Sequence, residues 1–163
     1  MNDCKYGYGI KDGNLSLTLI KAGTYPNENA DIGEHDFTYS IYPHAGRWQE
    51  AETVEMAYNL NVPPVVVLQN QNEGEKAEKE FLTCDAENCF IEVIKEAEDK
   101  NGTMIRMYEN KNRHTKTRIS LPEFVKQVYE CNLREQNERE LEVKEHEIEV
   151  VLKPYEIKTY RFL

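Results

Sequence analysis

Alternation of apolar and polar side chains constrains this chain more than any other feature. Near the C-terminus Ile148, Val150 and Leu152 alternate with Glu147, Glu149 and Val151. Near the start, Leu15, Leu17 and Leu19 alternate with Ser16 and Thr18. Successive side chains on a strand point to opposite faces, so a period of two marks a half-buried strand. The same signal recurs along most of the chain and predicts an all-β protein.

The strands fall into two groups. In the first, residues 5–10 and 15–21 flank Lys11-Asp12-Gly13-Asn14, where Asp-Gly supplies the positive-φ positions of a tight hairpin turn. Ala22 to Gly33 reads as an irregular loop. Residues 34–43 predict a further strand, with His35, Phe37, Tyr39 and Ile41 on one face and Pro43 ending it. One helical segment follows over Trp48 to Leu60, its apolar stripe formed by Ala51, Val54, Ala57 and Tyr58. Pro63-Pro64 stops it, and Val65 to Leu68 reads as a short apolar strand.

Gln69 to Lys76 contains no hydrophobe, which places a boundary there. The expected organisation is residues 1–70 as one unit, 71–77 as a linker and 78–163 as a second unit. In the second unit strands are expected over 79–84, 89–97, 102–109, 113–121, 124–131, 146–152 and 155–162. Asn101-Gly102 predicts a primed hairpin turn. Seven short strands at this spacing imply a two-sheet sandwich. A helix over 134–147 competes, because Arg, Glu and Lys are good helix formers, but Leu133, Leu141 and Val143 make no stripe.

Charge and cysteine usage narrow the function classes. Twenty Lys and Arg face thirty Asp and Glu, a net charge of −10 that repels phosphate backbones and argues against nucleic acid. Cys4, Cys84, Cys89 and Cys131 form no C-x-x-C pair, so a structural zinc site is not expected. A polar start and free thiols point to a cytoplasmic protein without membrane contact, although a Cys84–Cys89 disulfide is conceivable. Phosphate loops, nucleophile elbows and H-E-x-x-H strings are missing. His35 and His44 read as loop and strand-end hydrogen-bonding residues, and His114 and His146 as surface residues. Tyr6, Tyr8, Tyr25, Tyr39 and Tyr42 have faces suited to a sugar ring, but strand tyrosines ordinarily fill sheet surfaces.

Three stretches carry a family resemblance. They are Asn2-Asp3-Cys4-Lys5-Tyr6-Gly7-Tyr8; Gly33-Glu34-His35-Asp36-Phe37-Thr38-Tyr39 with Tyr42-Pro43-His44-Ala45-Gly46 and Trp48; and Pro154-Tyr155-Glu156-Ile157-Lys158-Thr159. Together they resemble the end of bacterial-type family 38 glycoside hydrolases, the α-mannosidases. The resemblance implies a fold in which residues 1–70 are the last strands of a large supersandwich-type β-sandwich plus a helix, and 78–163 a small seven-stranded one. It implies retaining hydrolysis of α-mannosides by two carboxyl groups in an N-terminal catalytic domain that also holds zinc. No catalytic or metal residue is then expected here, and no cofactor in this chain. Asn2, Asp3, Tyr6, Tyr8, Asp31, Gly33 and His35 are the residues expected at the rim of the substrate cleft. Gly9 stands where family members often carry Asp, so no role for that acid carries over. The implied partners are the catalytic domain and mannose-containing glycans, and exposed sheet edges in residues 1–68 favour self-association. The alternative is a stand-alone carbohydrate-binding or interaction module.

Overall fold

The computed structural model describes residues 6–68 and 80–163. The chain divides into two compact units, Met1–Asn70 and Gln71–Leu163. The expected linker over 71–77 lies outside the described residues.

The first unit begins with a hairpin of β1 (Tyr8–Lys11) and β2 (Asn14–Leu17), paired in register from Tyr8 opposite Leu17 to Lys11 opposite Asn14. Asp12 and Gly13 lie at φ 50° and 77°, the two left-handed positions that a primed turn requires. Helix α1 (Thr53–Asn61) follows. It starts later than expected, after turns through 48–52, and no side chain caps its first amides. Asn61 and the Val62 amide close its last turn on the carbonyls of Ala57 and Tyr58, both at 2.7 Å.

Three expectations fail in this unit. Residues 34–43 form no strand beyond an isolated bridge at Tyr39, and Val65 to Leu68 form none. The Leu15, Leu17, Leu19 face is not half-buried as its alternation predicts, for Leu15 is 67% exposed and Leu19 39%. The reason is the same in each case. A strand needs a ladder partner and a covering layer, and the hairpin is the only strand ladder among this unit's described residues. None of those residues is fully buried.

The second unit is a two-layer antiparallel sandwich. Its strands are β3 (Thr83–Cys84), β4 (Cys89–Glu96), β5 (Thr103–Glu109), β6 (Thr115–Ser120), β7 (Val128–Cys131), β8 (Asn137–Leu141), β9 (Glu147–Leu152) and β10 (Ile157–Phe162). One sheet runs β4-β5-β10-β7-β8, the other β3-β6-β9. The strand beyond the expected seven is β8, all but Leu141 polar and exposed. An edge strand with no buried face leaves no alternation to read, and charge protects its free edge.

The inner faces meet in one core of Ile105, Met107, Ile119, Val128, Ile148, Val150, Leu152, Tyr160 and Phe162. The alternation read in β9 holds, with Ile148, Val150 and Leu152 buried. Central strand β10 is buried on both faces. Its outer face carries Arg161, whose guanidinium bonds both Asp99 oxygens at 2.8 Å and the carbonyls of Asn101 and Glu135 at 2.7 Å. Met104, Ala97 and Cys131 form a small apolar cluster in the same unit, with Tyr129 packed against it.

The β4–β5 connection is not the primed two-residue turn that Asn101-Gly102 predicts. Lys100 and Gly102, rather than Asn101, take positive φ, and the loop runs from Ala97 to Gly102 with its ends bonded at 3.0 Å. Gly102 has a second role, since a Cβ there would stand 2.3 Å from the Phe162 carbonyl oxygen. The turn residue was chosen by the close approach of the last strand as much as by local geometry.

Candidate functional site

The rim candidates centre on Asp31. This residue sits at φ 60°, a conformation Asp tolerates better than most residues. Its carboxylate accepts a short hydrogen bond from the Tyr6 hydroxyl. Its carbonyl lies 3.0 Å from His35 Nε2, and since a carbonyl can only accept, that nitrogen carries the proton. The His35 ring stacks on Phe37 with centroids 5.9 Å apart and planes 13° apart. Gly33, at φ 146°, lies between the two partners and lets the chain fold back from Asp31 to His35. The hydrogen bonds thus tie the entry of β1 to the loop at 31–35.

Tyr8 stands on the hairpin. It lies on β1 directly opposite Leu17, and Ile10 opposite Leu15, so these four share one face of the hairpin. Tyr8, Ile10 and Leu15 are all exposed. The other face brings Gly9 against Ser16, whose hydroxyl donates to the Gly9 carbonyl at 3.1 Å. Asn2 and Asp3 lie outside the described residues.

The arrangement can hold polar groups of a ligand. Among the described residues no cluster of three or more His, Cys, Asp or Glu side chains is placed to hold a metal ion. His44 Nδ1 faces the Ala45 carbonyl at 3.3 Å and its ring tilts against Tyr42.

In the second unit, sequence reasoning missed a buried carboxylate. Glu109 accepts from Asn88 Nδ2 at 2.8 Å, Lys111 N at 2.7 Å and Tyr155 N at 2.9 Å. Burial pushes its pKa up, but these donors outweigh it and hold the group below the usual carboxylate range. Its role is structural, pinning the ends of β4, β5 and β9 together. A single Glu among thirty acids gives no sequence signal of this kind.

Among the described residues no helix is long and apolar enough to cross a membrane. Residues 88–160 match the Glycosyl hydrolases family 38 C-terminal beta sandwich domain. Along its whole length the chain is 34% identical to Alpha-mannosidase G of Dictyostelium discoideum. Over 96% of its length it is 28% identical to Alpha-mannosidase 2C1 of Homo sapiens. The match to the Alpha-mannosidase of Saccharomyces cerevisiae is 38% over 37% of the chain and 6% of that protein. The chain spans only 16% of the length of each of the first two relatives. Over residues 88–160 the second unit thus matches the family 38 C-terminal β-sandwich domains, and along its length the chain is similar to the C-terminal part of α-mannosidases.

Proposed function

We propose that this chain is the non-catalytic C-terminal part of an α-mannosidase, supporting a preceding catalytic domain and shaping the rim of its cleft. That domain would supply the zinc and the two carboxyl groups for retaining hydrolysis of α-mannosides. The observation that carries the reading is the uncovered apolar surface of the first unit. Ile10, Leu15, Ile32, Ile41 and the run Val65–Leu68 are exposed, the last from 74% to 93%. Apolar area of this extent is stable only when another surface covers it. Similarity to relatives some six times longer supports a preceding region of the same enzyme as that cover. The free thiols of Cys84, Cys89 and Cys131 support a reducing, cytoplasmic setting.

The test is hydrolysis of an aryl α-mannoside with added zinc by this chain and by the longer protein. Activity confined to the longer protein supports the proposal; activity in this chain alone overturns it. For the rim, Asp31→Ala in the longer protein is expected to raise KM several-fold with little change in kcat, because it removes the acceptor that fixes Tyr6.

A second reading, carbohydrate binding by this chain itself, is favoured by the exposed rings of Phe81 and Phe124. Their centroids are 6.1 Å apart beside Glu80, Glu123 and Lys126. Calorimetric binding of methyl α-mannoside to the chain supports that reading, and no binding removes it.

A further inference from the structure

The antiparallel pairing of β3 with β6 sets Thr83 opposite Ser120. Residues before Thr83 therefore run beside residues after Ser120. Leu82 packs against the core, while Phe81 before it stays 47% exposed. Across from it the chain makes a tight turn, closed by Val125 N on the Pro122 carbonyl at 3.0 Å. Leu121 and Val125 are buried on either side of that turn. The Leu121 amide bonds the His146 carbonyl and the Lys126 amide the Leu163 carbonyl, both at 2.7 Å, so the turn is tied at both ends.

Turn tips ordinarily carry Gly, Pro, Asn, Asp or Ser. This one carries Phe124, which is 64% exposed. Its ring stands 6.1 Å from that of Phe81, inclined at 38°. The two rings line a cavity of about 660 Å³ with Leu82, Leu121 and Pro122, and Glu80, Glu123 and Lys126 bring charge to it. Core packing accounts for neither ring.

Resting on the reading that this chain binds carbohydrate itself, we propose that the Phe81–Phe124 groove is a sugar site selective for pyranosides with an equatorial aglycone, such as a β-linked mannoside.

The face of a phenyl ring is negative, so it attracts C–H bonds and repels oxygen lone pairs. A β-mannoside in its chair form presents H1, H3 and H5 axially on one face, with no oxygen among them. In the α-anomer the axial aglycone oxygen replaces H1 on that face, and the axial 2-hydroxyl occupies the other. Neither face of the α-anomer lies flat on a ring.

Size and polarity favour a sugar over a protein partner. The cavity falls in the range of small-molecule sites, about 300–1,000 Å³. Even wholly covered, two aromatic side chains bury under about 500 Å², short of the about 800 Å² that each partner contributes to a stable protein interface. Glu80 and Glu123 offer acceptors for equatorial hydroxyls, and Lys126 offers donors. Lys126 Nζ gives one proton to the Glu123 carbonyl at 2.6 Å and has further protons to offer. Because the turn holds Phe124 in place before a ligand arrives, little ordering cost is added on binding.

The experiment titrates the whole chain with methyl β-mannoside and with methyl α-mannoside, following saturation transfer from aromatic protons of the protein to the sugar by NMR. Both are expected to bind, the β-anomer about three- to tenfold more tightly, the order of one aromatic contact. Transfer should be strongest at H1, H3 and H5 of the β-anomer. Phe81→Ala and Phe124→Ala, both at exposed positions, are expected to weaken binding of the β-anomer by a similar factor and to leave the thermal melt unchanged. Equal or tighter binding of the α-anomer, or β-anomer binding that survives both substitutions, overturns the proposal and leaves the carbohydrate reading standing. Binding of neither anomer removes both. The anomer comparison uses the unmodified chain, so it decides the selectivity even where a variant fails to fold.

Discussion

At the scale of single residues, the second unit is held by a few groups whose partners come from distant strands. Glu109 is the clearest. Because its folded pKa is depressed, the stability it contributes is present above the unfolded carboxylate value of about 4.3 and is lost as pH falls through the folded value. Glu109→Gln is expected to cost roughly 2 kcal/mol or more at neutral pH, since an amide nitrogen then meets backbone donors. The gap to wild type should narrow in acid, as urea unfolding at pH 7 and at pH 3 would show. Tyr160 presents the opposite case. Its side chain is fully buried and its hydroxyl has no hydrogen-bond partner among the described residues. Tyr160→Phe is therefore expected to leave stability unchanged or raise it by up to about 1 kcal/mol, read by the same unfolding measurement.

At the scale of elements, turns show where local sequence and geometry disagree. Asp12-Gly13 is a turn whose residues suit it. The turn before β9 is not, because Glu145 and His146 both stand at positive φ, 48° and 62°, while Lys144 and Glu147 bond each other in both directions. Left-handed backbone costs an L-residue with a Cβ about 1 kcal/mol or more. Replacing the pair with Asn-Gly is expected to stabilise the unit by about 1 kcal/mol, with a raised Tm in a thermal melt. A fall in Tm would mean that Glu145 or His146 makes contributions beyond the turn. Strand β8 adds a related lesson. Its charged residues, Glu138, Arg139 and Glu140, have helix propensity and no strand alternation, and only pairing with β7 from Val128 to Cys131 makes them a strand.

At the scale of the whole molecule, the two units contrast. The second has a closed core, while the first has none among its described residues. The chain alone is accordingly expected to self-associate through the face of Tyr8, Ile10 and Leu15, and light scattering after size exclusion should give a mass above one chain. Ile10→Lys with Leu15→Lys should return it towards monomer, and a monodisperse unmodified monomer would refute the expectation. Alternation settled by itself which residues of β9 face the core, because a strand's pleat is a local property. The Asp12-Gly13 turn was legible for the same reason. The Tyr6–Asp31–His35 contacts were not, although all three residues stood among the rim candidates through family resemblance. Nor was the Glu109 hub, whose donors come from residues 88, 111 and 155. Nor could the strand-like pattern of residues 34–43 become a strand without a partner to complete its ladder. Period and turn chemistry are written in neighbouring residues, whereas a hydrogen bond between residues 25 or 46 positions apart exists only once the rest of the fold has brought them together.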